Sequence, residues 1–140
     1  MKNKQKVLFV CTGNSCRSQI AEGLLRDMSD ESFDVFSAGS HPSRVHPNAI
    51  SVMDEIEVDI SDQTSDGIEQ YLNAGIDIVI TVCDNANQIC PVFPEETKRI
   101  HWSIDDPFRG WDAKEGHLNN FRSTRGELKI RIKQFINEME

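Results

Sequence analysis

The stretch Val7-Leu8-Phe9-Val10-Cys11-Thr12-Gly13-Asn14-Ser15-Cys16-Arg17-Ser18 decides the reading of this chain. Its first four residues are β-formers in an unbroken apolar run, the pattern of a buried strand. Gly13 and Asn14 tolerate the left-handed backbone of a tight turn. Ser15 is a good N-cap for the helix marked by the stripe Ile20, Leu24, Leu25 and Met28. A strand, loop and helix in this order turn successive N–H groups inward and set the positive end of a helix dipole at the loop. Arg17 adds a planar fork able to hold two oxygens of one anion. The same field favours the thiolate of Cys11, the form of cysteine that acts as a nucleophile. Cys11, five residues and Arg17 therefore read as a loop around a tetrahedral oxyanion with sulfur beneath it. Thr12, Gly13, Asn14, Ser15, Cys16, Arg17 and Ser18 are the candidate oxyanion-binding residues.

Outward from that loop, the order is strand 6–10, helix about 15–28, strand 33–37, helix about 47–57, helix about 66–73, strand 76–82, strand 99–104 and helix about 117–138. Alternation of strands and helices implies an α/β fold, a mostly parallel sheet with helices on both faces. Asp66 with Glu69 has the spacing of a capping box, and Gly75 suits a helix end that needs positive φ. The last helix carries Leu118, Phe121, Leu128, Ile132, Phe135 and Met139 along one side, which is core packing. Cys11 and Cys83 each follow a strand directly. If those strands are neighbours, both thiols lie at the sheet edge where such folds bind ligands.

The chain has 140 residues and a net charge of −8, which fits one domain spanning 1–140 and argues against a nucleic-acid surface. A small anion is still compatible, because at physiological salt charges beyond about 8 Å are screened. The N-terminus has too short an apolar run for a signal peptide or membrane span, so a cytoplasmic location is expected. In a reducing compartment the four cysteines suit catalysis or metal binding better than structural disulfides.

Cys83 and Cys90 enclose six residues, wider than ordinary zinc spacings. A zinc site of Cys11, Cys16, Cys83 and Cys90, two buried thiols, and a redox pair all remain open on the residues alone. For the redox pair, a helical 83–90 segment would hold the two Cα atoms about 10 Å apart, whereas a disulfide tolerates about 7 Å. Joining them would require the segment to unwind, and Pro91 and Pro94 fit a weakly held segment. Asp105-Asp106-Pro107 follows the strand with His101 and Trp102. Expelling an oxygen from a bound anion near neutral pH needs a proton donor, and Asp106 is the candidate, with Asp105 secondary. His41, His46, His101 and His117 show no metal spacing and read as structural or solvated.

Cys11 to Ser18 resembles the phosphate-binding loop of the low-molecular-weight protein tyrosine phosphatase superfamily. Gln19-Ile20-Ala21-Glu22-Gly23, Ser37-Ala38-Gly39, the Cys83/Cys90 pair and His101-Trp102 through Asp105-Asp106-Pro107 resemble its thioredoxin-coupled arsenate reductase branch. The resemblance implies a three-layer sandwich with a four-stranded parallel sheet flanked by helices. It also implies a potassium site at Asn14, Glu22, Ser37, Thr64 and Asp66, arsenate as substrate, thioredoxin as reductant, and a monomer. Its chemistry would pass through a Cys11–Cys83 disulfide and end in a Cys83–Cys90 disulfide, leaving Cys16 without a required step. Gln19 stands where many of the phosphatases have proline. Phe108 is one aromatic where they commonly have two, which points away from a dedicated phosphatase.

Overall fold

The computed structural model describes residues 4–29, 32–84, 90, 93–94, 96–112 and 115–139. Four strands, β1 (Gln5–Cys11), β2 (Phe33–Gly39), β3 (Ile78–Thr81) and β4 (Lys98–His101), form one parallel sheet in the order β2-β1-β3-β4. β1 is central, and Val7 to Val10 are fully buried. Strands covered on both faces need continuous apolar runs rather than alternation, which is why the 7–10 run forms the heart of the sheet. Because β1 and β3 are neighbours, Cys11 and Cys83 do emerge at one sheet edge.

Three helices, α1 (Arg17–Met28), α2 (Pro47–Asp54) and α3 (Leu118–Met139), pack on one another. Side chains alternate along a strand. Phe33 meets Phe135 of α3 and Phe9 meets Trp102, which in turn meets Phe135. Val7, Phe9 and Cys11, registered with Val35, Ser37 and Gly39, therefore face α3. The opposite face, with Leu8, Val10 and Phe36, is covered in part by a 3₁₀ turn (Ile68–Tyr71), where Tyr71 packs on Phe36. Three layers result, as the resemblance implies.

Several local expectations change: the strand expected over 99–104 ends at His101, that over 76–82 is confined to Ile78–Thr81, and the helix expected to 57 ends at Asp54. Residues 66–73 form that single 3₁₀ turn rather than an α-helix. Gly39 and Gly67 make a parallel β-bridge, with Gly39 N–H donating to the Asp66 carbonyl at 2.8 Å. Pairing with the end of β2 thus stretches the residues that would have begun a helix. The Asp66/Glu69 capping box is absent for the same reason: Asp66 instead accepts from the Thr64 hydroxyl at 2.7 Å. Gly75 does hold positive φ (74°), closing the turn before β3. The expected unwinding of a helical 83–90 segment concerns residues 85–89 and 91, which lie outside the described residues.

Candidate active site

The loop after β1 curls because Asn14 adopts φ 46°, the left-handed region its short amide side chain tolerates. Its carbonyls at Thr12, Gly13 and Ser15 face outward, accepting N–H bonds from His41, Ser43 and His46 at 2.9, 3.1 and 3.0 Å. A trans peptide sets C=O and N–H on opposite sides, and the described chain has no cis bonds. The N–H groups of Gly13, Asn14 and Cys16 are thereby turned toward the concave side, as an anion requires. Gly39 lies against the outer wall: a Cβ there would meet the Thr12 carbonyl oxygen at 2.6 Å.

α1 begins at Arg17 with Cys16 as its N-cap and no side-chain cap. Ser15 is therefore not the cap expected from the sequence. Its carbonyl is committed to His46, and its side chain instead lines the cavity with its hydroxyl 3.5 Å from Cys16 Sγ. The cavity of about 220 Å³ is lined by Cys11, Thr12, Gly13, Ser15, Cys16 and Arg17, and is walled by Ser43, Asp106, Phe108 and Trp111. Of the expected oxyanion-binding set, Asn14 and Ser18 do not line it. Both are fully buried beneath the loop.

Their role there is on Cys11. Ser18 Oγ lies 2.8 Å from Cys11 Sγ, and the same oxygen accepts an N–H from the Asn14 amide at 2.7 Å. The Ser18 hydroxyl is thus held by Asn14 within hydrogen-bond reach of the Cys11 sulfur, where it can donate to a thiolate or accept from a thiol. Cys16 lies five residues on. Burial pushes its thiol up to about 12, against the smaller opposing effect of Ser15, so it stays protonated at neutral pH.

Arg17 is 14% exposed; its Nη1 donates to the Ile104 carbonyl at 3.0 Å and its Nη2 lies 3.7 Å from Asp106 Oδ2. Asp106, about half exposed, lines the cavity, whereas Asp105 does not. Asp106 Oδ1 accepts the Phe108 N–H at 3.0 Å. Thr12 Oγ1 lies 3.4 Å from Cys83 Sγ, which brings the second thiol to the loop that carries Cys11. Cys83 and Cys90 are both buried and, like Cys11 and Cys16, form no disulfide in this structure. Burial also pushes the Cys90 thiol up, with Arg99 opposing.

The residues expected to hold potassium converge on a second cavity of about 360 Å³ behind Asn14, lined by Glu22, Arg26, Ser37, Thr64 and Asp66 among others. Their polar atoms are already paired. Arg26 donates to Glu22 Oε2 at 2.6 Å and to the Val35 carbonyl at 2.7 Å. Ser37 donates to Glu22 Oε1 at 2.6 Å and accepts from the Asn14 amide at 3.0 Å. Asn14 Oδ1 accepts from the Asp66 N–H at 2.8 Å. One guanidinium faces the carboxylates of Glu22, Asp59, Asp62 and Asp66 in this lining, and among the described residues nothing supports a potassium ion there. Among the described residues, no group of three or more His, Cys, Asp or Glu side chains could hold a metal ion, so the alternative zinc site has no support.

The profile of the low molecular weight phosphotyrosine protein phosphatase family matches residues 6–140. The chain belongs to this family. Within it, an arsenate reductase of Halalkalibacterium halodurans is 45% identical over 133 residues, covering 95% of this chain and 96% of that protein. A solved arsenate reductase in the phosphate binding state superposes with a TM-score of 0.78 at 37% identity, covering 97% of this chain and 99% of the other. The Corynebacterium glutamicum thioredoxin-dependent arsenate reductase superposes at 0.73 with 27% identity, covering 99% of this chain and 65% of the other. The four-stranded parallel sheet described above thus matches the fold of these arsenate reductases.

Three members of the cavity and its surroundings escape a reading of the sequence. Trp111 supplies the second aromatic wall, 5.2 Å from Phe108 in a T-shaped pair. It sits five residues past Asp106, so the signal was an aromatic on the same loop. Ser43, which donates to the Gly13 carbonyl at 3.0 Å, and Arg26 carry no motif; only the fold brings them in.

Proposed function

We propose that this enzyme reduces arsenate to arsenite through three thiols, with electrons from thioredoxin. The observation that carries the reading is a second thiol, Cys83, placed at the loop holding the nucleophile. The loop amides and Arg17 bind the oxyanion. Cys11 thiolate attacks arsenic, forming a sulfur–arsenic bond, and Asp106 protonates the oxygen that departs as water. Cys83 thiolate then attacks the Cys11 sulfur. The sulfur–arsenic bond breaks, its electron pair stays on arsenic, and arsenite leaves with arsenic reduced from five-valent to three-valent. A Cys11–Cys83 disulfide remains. Cys90 attacks Cys83, freeing Cys11 and leaving a Cys83–Cys90 disulfide, which thioredoxin reduces by exchange.

The names of the near-full-length relatives support the substrate, and the Corynebacterium protein's name supports the reductant. The reading further takes residues 1–140 as one domain acting as a monomer in the cytoplasm, where thioredoxin keeps thiols reduced. No helix of the described residues is long and apolar enough to cross a membrane.

Mass spectrometry after arsenate treatment tests the relay. A Cys83–Cys90 disulfide in the product, and loss of multiple turnover in Cys11→Ser, Cys83→Ser and Cys90→Ser, are expected. Sustained arsenate-dependent NADPH oxidation by Cys83→Ser with thioredoxin and its reductase would refute the relay.

A second reading, hydrolysis of aryl phosphates, is favoured by one observation: Phe108 and Trp111 flank the mouth of the cavity. It shares only the first step, with water in place of Cys83. Phosphate-ester hydrolysis that survives in Cys83→Ser and is lost in Cys11→Ser would support it.

A further inference from the structure

We propose that His46 is a positioning residue that holds the Asp106–Trp111 loop against the oxyanion loop. The inference rests on the reading of Asp106 as proton donor. His46 is fully buried, and its contacts reach four parts of the molecule. Its backbone N–H donates to the Ser15 carbonyl of the oxyanion loop at 3.0 Å. Its Nδ1 accepts the N–H of Asn48 at 3.0 Å, capping α2, while Pro47 takes the first helical position. A backbone amide can only donate, so Nδ1 carries no proton and the proton sits on Nε2. Nε2–H therefore donates to the Gly110 carbonyl at 2.8 Å. The ring stacks on Trp111 (5.3 Å, 15°), meets Phe108 edge-on at 5.6 Å and lies 4.8 Å from Phe121 of α3.

A helix cap needs only one acceptor, and asparagine or serine would serve. The other half of this side chain, Nε2–H and the aromatic face, is spent on the loop that carries Asp106. Residues 102–110 form no helix or strand; burial of Trp102 and Ile104 and the Arg17 bond to the Ile104 carbonyl anchor the start of that loop, and His46 holds its far end at Gly110. Gly110 turns with φ 99°, a conformation L side chains rarely adopt, and that turn accompanies the carbonyl bond to His46. Asp106 is tied to the same unit through the Phe108 N–H. The imidazole thus links the element that binds the anion to the element that protonates its departing oxygen.

Steady-state arsenate turnover with thioredoxin, thioredoxin reductase and NADPH, measured in wild type, His46→Asn, Asp106→Asn and the double variant, tests the link. Asparagine keeps the cap and removes the Gly110 bond and the ring. Asp106→Asn is expected to lower kcat about 100-fold, in the range for loss of a general acid. His46→Asn is expected to lower kcat about 10-fold with KM changed less than about 2-fold, as misplacement of a catalytic group does. The double variant should match Asp106→Asn within about 2-fold, because His46 acts through Asp106. Gly110→Ala, which leaves the α2 cap untouched and strains the turn, should reproduce both the loss and the non-additivity. It covers the case in which His46→Asn folds poorly. In a Trp102→Phe background, Trp111 is the sole tryptophan, and His46→Asn should shift its emission to the red. Unchanged kcat in His46→Asn and Gly110→Ala, or losses that multiply with that of Asp106→Asn, would overturn the proposal while leaving Asp106 in its role. An inert Asp106→Asn would overturn the proton-donor reading, and the positioning proposal with it.

Discussion

Two cavities lie on either side of Asn14 and Ser18, and they handle charge in opposite ways. The one above the oxyanion loop gathers donors, Arg17 and turned-in amides, around a thiol, with Phe108 and Trp111 as apolar walls. The one behind it gathers carboxylates and closes on itself, with Arg26, Glu22, Ser37 and Asn14 saturating one another. A single chain of hydrogen bonds joins them, running from Arg26 through Glu22, Ser37, Asn14 and Ser18 to Cys11. The donor-rich cavity is the one suited to an anion. Its acceptor-rich neighbour serves to hold the amide of Asn14, and through it the hydroxyl of Ser18, in one orientation.

The contrast is sharpest at sulfur. Cys11→Ser is expected to abolish arsenate turnover, a loss beyond about 10⁴-fold, because the attacking thiolate is gone. In the wild type, iodoacetamide near neutral pH should label Cys11 and leave Cys16 unlabelled, since burial keeps Cys16 protonated. Peptide mapping showing Cys16 labelled first would break the assignment. One step further along the chain, Ser18→Ala removes the donor at 2.8 Å. Hydrogen bonds to charged groups contribute about 1.5–3 kcal/mol, so Cys11 alkylation should slow by about 10-fold or more. An unchanged rate would mean that the hydroxyl does not serve the thiolate.

At the far end, Arg26→Met leaves Glu22 without its cation. The Arg26 side chain is half exposed, so the loss of stability should be nearer about 1 kcal/mol than the 3–5 of a fully buried pair. Thermal unfolding checks this, and exchanging sodium for potassium chloride should leave the wild-type midpoint unchanged. A potassium-specific rise in the wild type would reopen the ion site. The smallest effect concerns pH. Burial holds the Glu22 carboxyl above its ordinary value of 4.5, with Ser37 and Arg26 opposing. The folded chain therefore binds this proton more tightly than the unfolded chain. The contribution to stability is complete below about pH 4.5 and is lost as pH rises through the folded value. Glu22→Gln should accordingly gain on the wild type between pH 4.5 and 7 in chemical denaturation, and a gap that narrows with pH would contradict this.

Much of this was legible in the chain. The apolar run at 7–10, the turn residues and the spacing from Cys11 to Arg17 placed a strand, a tight loop and a helix in the right order, because each depends on neighbours within a few residues. Of the two adjacent carboxylates, Asp106, the candidate proton donor, is the one that lines the cavity. At Ser15 and at 66–73 the expected boundaries failed where a distant backbone claimed the local hydrogen bonds: His46 took the Ser15 carbonyl, and Gly39 took that of Asp66.

By itself, then, the sequence determined the fold class, the thiol and the loop around it, since local propensity and spacing carry that information. Tertiary structure alone decided that Cys83 meets Thr12, that Trp111 completes the mouth, and that His46 joins two loops. It also decided that Arg26 stands where an ion was expected. The Cys83–Thr12 and His46–Gly110 contacts span 71 and 64 residues of chain, and only the packing of β1 beside β3 and of the α2 N-cap against the Asp106 loop brings their atoms within bonding distance.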